Sequence, residues 1–107
     1  MEVKIYKDSE GTVYGFQVSG HSELSPEGND VLCSAVSALT ITTVNAIETF
    51  TKDPVEVEAV NEEEGFLHFR LKSVSKESKL LLDSLVLGLQ DIERSYDRYI
   101  SVRFEEE

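Results

Sequence analysis

Asp30-Val31-Leu32-Cys33-Ser34-Ala35-Val36-Ser37-Ala38-Leu39-Thr40-Ile41-Thr42-Thr43-Val44-Asn45-Ala46-Ile47-Glu48-Thr49-Phe50 is the stretch on which the fold turns. Leu32, Ala35, Val36, Leu39, Thr43, Ala46, Ile47 and Phe50 recur at the three-four-seven spacing of a helix with one buried stripe. Asp30 is a favoured cap residue, so the pattern predicts a helix starting there, and Pro54 ends it. About 20 residues at 1.5 Å each make a helix of roughly 30 Å. Upstream, Val3 and Ile5 alternate with polar neighbours, Asp8-Ser9-Glu10-Gly11 turns the chain, and Tyr14, Phe16 and Val18 follow at period two. That is a β-hairpin ending at Gly20. Residues 20–29 have no periodicity and hold Pro26, Gly28 and Asn29, which predicts a loop.

Downstream the plan repeats. Val55, Val57 and Ala59 alternate with Glu56 and Glu58, Asn61-Glu62-Glu63-Glu64-Gly65 turns, and Leu67, Phe69 and Leu71 alternate with His68, Arg70 and Lys72. A second helix over about 75–94 presents Leu81, Leu82, Leu85, Leu89 and Ile92, and Gly88 within it points to close approach of a neighbour. Ile100, Val102 and Phe104 predict a last strand before an acidic tail. The order is ββαββαβ, an α+β fold in which one mixed sheet of about five strands carries two long helices. The 107 residues suit a single domain, 1–107, with no linker.

Composition narrows the partners. With 21 acidic against 10 basic residues, the net charge of −11 argues against nucleic acid or an anionic membrane surface and favours a cationic partner. The N-terminus enters its strand pattern at once, and no stretch is expected to reach the roughly 20 apolar residues of a membrane span. One cysteine makes no internal disulfide, which suits a reducing, cytoplasmic compartment. Two histidines and one cysteine give no zinc spacing, and no phosphate-cradling glycine motif occurs, so neither metal nor cofactor is expected.

Chemistry concentrates between the first hairpin and the first helix. A thiol attacks as its thiolate, which a helix N-terminus and a nearby imidazole both favour. With Asp30 as cap, Cys33 falls in the first helical turn at the edge of the apolar stripe. His21 follows Gly20 and lies 12 residues before Cys33, far enough for the loop to fold back and bring imidazole to sulfur. His21 would take the thiol proton and return a proton to the leaving amine. Asp30 is the nearest group in sequence to orient the imidazole, although that role competes with capping. First-turn N–H groups, that of Cys33 included, would hold an oxyanion. Two other readings stand beside this one. In the first, Cys33 is a small buried hydrophobe of a non-catalytic module that binds a basic protein. In the second, weaker one it is a redox-sensing thiol, for which the chain has no resolving cysteine. His68 falls on the polar side of its strand and is expected to be solvated.

Gly20-His21, the glycine-containing loop and Asp30-Val31-Leu32-Cys33-Ser34-Ala35-Val36-Ser37-Ala38-Leu39 closely resemble the ribosomal-processing cysteine protease family, Prp. Length, element order and Thr43-x-Asn45 agree with that resemblance. It implies a bacterial cytoplasmic, homodimeric endopeptidase that removes a short N-terminal extension from a large-subunit ribosomal protein. Carried over by position, the catalytic cysteine is Cys33 and the catalytic histidine His21, with Asp30 in an open role. A substrate loop is implied over 22–29, flanked by Gly20 and including Ser22 and Gly28. Ser22 and Ser34 stand where members of the family have alanine, both small replacements along the expected groove. A non-catalytic ribosome-assembly factor binding a basic ribosomal protein is the alternative.

Overall fold

The computed structural model describes residues 1–20, 26–58 and 67–106, with the backbone course alone for 26–30. Among these residues, five strands and two helices follow the expected order: β1 Glu2–Lys7, β2 Val13–Ser19, α1 Pro26–Phe50, β3 Val55–Glu58, β4 Leu67–Leu71, α2 Lys76–Ser95 and β5 Ser101–Glu106. The sheet runs β3-β4-β2-β1-β5. Only β5 lies parallel to its neighbour, β1, and the other three pairs are antiparallel. The sheet is therefore mixed, and β3 and β5 form its edges.

Register explains the core. Val3 faces Val18, Ile5 faces Phe16, and Phe16 faces Phe69, which sets these side chains on one side of the sheet. They join Leu32, Val36, Val44 and Ile47 of α1 and Leu82, Leu85 and Leu89 of α2 in one buried cluster. Both helices thus cover the same face. Phe16 and Phe69 are fully buried with ring centroids 5.2 Å apart. Gly15 lies beside this pair because β4 comes so close. A Cβ there would sit 2.5 Å from the Phe69 carbonyl oxygen and 3.2 Å from the Arg70 Cα, both backbone atoms. Gly15→Ala should lower stability by about 1–3 kcal/mol, read from a denaturant midpoint.

The first hairpin closes as its sequence demands. Asp8 Oδ1 accepts from the Glu10 and Thr12 amides at 2.9 and 3.0 Å, and Gly11 takes φ +83°. The opposite face of the sheet carries Tyr6, Tyr14, His68 and Arg70. Tyr6 stacks on Tyr14 at 6.2 Å and meets the His68 ring edge-on at 5.8 Å, so His68 is half-buried rather than solvated.

The first helix differs most from expectation. It begins at Pro26, not Asp30, so residues 26–29 are helical and Gly28 lies within the helix rather than in a loop. Proline suits that opening position, because its fixed φ is helical and the missing N–H would have had no partner there. Asp30 is consequently the fifth helical residue and cannot cap it. Within α1, Thr40 and Val44 are buried, while Phe50 at the end is 75% exposed. The expected stripe passed over Thr40, whose Oγ1 donates to the Val36 carbonyl at 2.9 Å and so is satisfied within the buried row. Contrary to the sequence expectation, Val31–Phe50 is long and apolar enough to cross a membrane by length and composition. Its Leu32, Val36, Thr40, Val44 and Ile47 row, however, is buried within the domain. A core helix passes the same test.

Gly88 behaves as its sequence position implied. A Cβ there would meet Leu39 Cδ1 at 3.0 Å, which marks where α1 and α2 approach closely. The start of α2 is fixed by Ser75, whose Oγ accepts from the Ser78 amide at 3.2 Å. Asp53, in the α1–β3 connection, accepts from the Ser75 amide at 2.9 Å and from Ser75 Oγ at 2.7 Å. Hydrogen bonds from the side chain of Ser78 and then from Ser75 hold its carboxyl below the usual aspartate range. Its folded form thus favours the carboxylate, and that contribution is present above pH 4 or so and lost as pH falls through the lowered value. Asp53→Asn should melt below the wild type at neutral pH, with the gap narrowing at about pH 2.

Candidate active site

The exit of β2, from which the chain runs on in sequence to His21 and the first helix, lies at one end of the sheet. Glu2 opposes Ser19 and Ser101, Val18 opposes Leu67, and His68 opposes Glu58. The exit of β2, the entry of β4 and the end of β3 therefore lie together. At the exit, Gly20 adopts φ +80°, and a Cβ there would find ordinary space, with Met1 Cα at 3.8 Å. Glycine is needed here for its backbone angle rather than for close approach. It redirects the chain out of β2 toward His21. His21 and Ser22 lie outside the described residues, as does the side chain of Asp30.

Cys33 is the eighth residue of α1 and is half-buried. About seven rises of 1.5 Å set it roughly 10 Å along the helix from its start. Leu32 and Val36, fully or almost fully buried, anchor its turn in the core, while Ser34 beside it is exposed. The thiol thus sits on the border between the core row and the surface, as its position in the stripe predicted. Its relation to the helix end is different. Because α1 starts at Pro26, the Cys33 amide falls past the first four N–H groups, the ones without partners inside a helix. The dipole's influence is largely confined to the first turn. The Cys33 amide is therefore not among the unpaired N–H groups expected to hold an oxyanion, and the expected placement of the thiol in the first turn does not hold.

Sequence reasoning did not single out the Tyr6, Tyr14, His68 and Arg70 assembly on the far face of the sheet. The Arg70 guanidinium lies 5.8 and 5.9 Å from the Tyr6 and Tyr14 ring centroids. The signal available was the alternation itself, which put all but the bulged Tyr14 on the polar side. Lys7 and Tyr14 mark where the β1–β2 register shifts.

Comparison with known proteins agrees with this architecture over nearly its whole length. The chain is 30% identical over 105 residues to the ribosomal processing cysteine protease Prp of Staphylococcus aureus strain NCTC 8325, covering 95% of this chain and 96% of that one. It is 24% identical over 101 residues to the protein of that name from Bacillus subtilis strain 168, covering 90% and 89%. Among solved structures, the essential ribosomal processing protease Prp from S. aureus with a covalently linked product peptide superposes with a TM-score of 0.88 at 28% identity. That match covers 97% of this chain and 98% of the other. SMU.848 from Streptococcus mutans shares the fold at a TM-score of 0.87 and 19% identity, covering 99% and 94%. The sequence model of the cysteine protease Prp family matches residues 1–101. The family model over residues 1–101, together with the 30% identity to the S. aureus protein across 95% of the chain, shows that this chain belongs to the cysteine protease Prp family.

Proposed function

We propose that this chain is a cysteine endopeptidase that removes a short N-terminal extension from a basic large-subunit ribosomal protein. The observation that carries the reading is the end-to-end likeness to an S. aureus processing protease crystallised with a covalently linked product peptide. The half-buried Cys33, the single thiol of the chain, is the group available for such a linkage. In this mechanism His21 takes the Cys33 proton and the thiolate attacks the scissile carbonyl. The tetrahedral intermediate collapses as His21 protonates the departing amine, leaving an acyl-thioester on Cys33. Water, deprotonated by His21, then releases the acid product and restores the thiol. Asp30 is assigned no capping part; any service to His21 would be orientation.

Cytoplasmic residence and a homodimer belong to the same proposal, as does a partner set without nucleic acid or membrane. They follow from the absence of disulfide chemistry in a one-cysteine chain, from the family resemblance and from the charge of −11. The test is cleavage of a synthetic peptide spanning an extended ribosomal N-terminus and its following basic residues. Electrostatic attraction between an acidic enzyme and a basic substrate weakens as salt screens it. Raising ionic strength from low to high should lower kcat/KM by about tenfold, through slower encounter. A flat salt profile would remove charge from the account of substrate capture.

A further inference from the structure

The outer side of β3 has backbone groups directed away from the sheet. Lys72 donates its amide to the Pro54 carbonyl, so Pro54, Glu56 and Glu58 direct their backbone groups toward β4. Val55 and Val57, alternating with them, direct their N–H and C=O groups outward. Among the described residues no strand pairs with that side. Glu56 and Glu58 project their exposed side chains on the face away from the helices, and a groove of about 470 Å³ runs there, floored by His68 and Arg70. Val57 is 46% exposed on the other face.

Charge selects what can pair there. In any antiparallel register with a second copy that overlaps both acids, Val55-Glu56-Val57-Glu58 sets carboxylate opposite carboxylate, which is destabilising. Lys72 lies 3.4 Å from Glu56, whereas Glu58 stands opposite the imidazole of His68. An acidic edge on a chain of charge −11 refuses its own kind and accepts lysine or arginine at alternate positions. We propose that β3 receives an extended cationic segment of the substrate as a sixth strand, its basic side chains over Glu58 and Glu56 and its backbone bonded to Val55 and Val57. The inference rests on the proposed function for the source of that segment. β3 lies two strands from β2, about 10 Å, and ends beside the β2 exit, the strand end that leads on in sequence to His21 of the proposed mechanism.

The test uses the full chain carrying Cys33→Ala, so that no turnover is needed, and a short peptide of alternating lysine and threonine as probe. Hydrogen exchange should slow at the Val55 and Val57 amides when peptide is added, and stay unchanged at Glu56 and Glu58, whose amides are already paired with β4. Val57→Pro removes one outward N–H without removing a ladder bond and should weaken binding by about tenfold or more. The same loss should follow from N-methylating alternate residues of the peptide, a change that leaves the protein's folding untouched. Binding that leaves Val55 and Val57 exchange unaltered, or that tolerates N-methylation in both registers, would overturn the proposal. Failure of the unsubstituted enzyme to cleave a ribosomal peptide would instead count against the proposed function, whatever the edge binds.

Discussion

Cys33→Ala is expected to abolish peptide cleavage while the protein stays folded. Loss of a nucleophile that forms a covalent intermediate typically removes several orders of magnitude from the rate, here at least about 10⁴-fold. The same change removes one half-buried sulfur at the border of the core, a cost of about 1 kcal/mol or less. Circular dichroism and the melting temperature should therefore match the wild type closely. That split between activity and stability distinguishes a nucleophile from a small core residue, for which truncation would act on stability first.

The largest effect on stability is expected from Phe69→Ala. Phe69 is fully buried on β4, stacks on Phe16 and belongs to the cluster shared with both helices. Its carbonyl also lies where Gly15 allows β2 and β4 to meet. Removing the ring leaves a cavity between the sheet and the helices and should lower stability by about 3–5 kcal/mol. For a domain of this size that corresponds to a melting temperature lower by on the order of 20 °C. A loss below about 1 kcal/mol would mean that the helices close over the gap, and that the core is far more yielding than its burial implies.

Much of this fold was legible because its periodicities are strong. Val3, Ile5, Phe16, Val18, Phe69 and Leu71 alternate cleanly, and Leu82, Leu85 and Leu89 mark the buried side of α2. Gly88 announced the α1–α2 contact through the cost glycine has in a helix. What escaped was set by tertiary context or by competing local signals. Pro26, Gly28 and Asn29 read as a loop, yet proline also opens helices, and the chain continues helically from it. That different start moves Cys33 from the first turn to the eighth residue of the helix. Asp30 lost its capping role for the same reason. Thr40 and Val44 escaped because the buried row tracks the sheet and α2 more closely than residue chemistry indicates. His68 gained a half-buried place because Tyr6, two strands away, turns its ring over it. Of the candidate site, the border position of Cys33 was legible in the apolar stripe and Gly20 takes the positive φ that bends the chain out of β2, while the expected pairing of His21 with Cys33 lies outside the described residues.

The central claim is that a peptide is cut through a covalent bond to Cys33. Its most direct test is mass spectrometry of the unsubstituted protein quenched in acid during turnover of an extended ribosomal peptide. The account predicts an added mass equal to the N-terminal fragment less water, localised by fragmentation to Cys33 and absent from Cys33→Ala. Cleavage that persists in Cys33→Ala, or an acyl group found on another residue, would contradict it. Peptide that binds uncut and without a covalent adduct would move the chain to the non-catalytic binding reading.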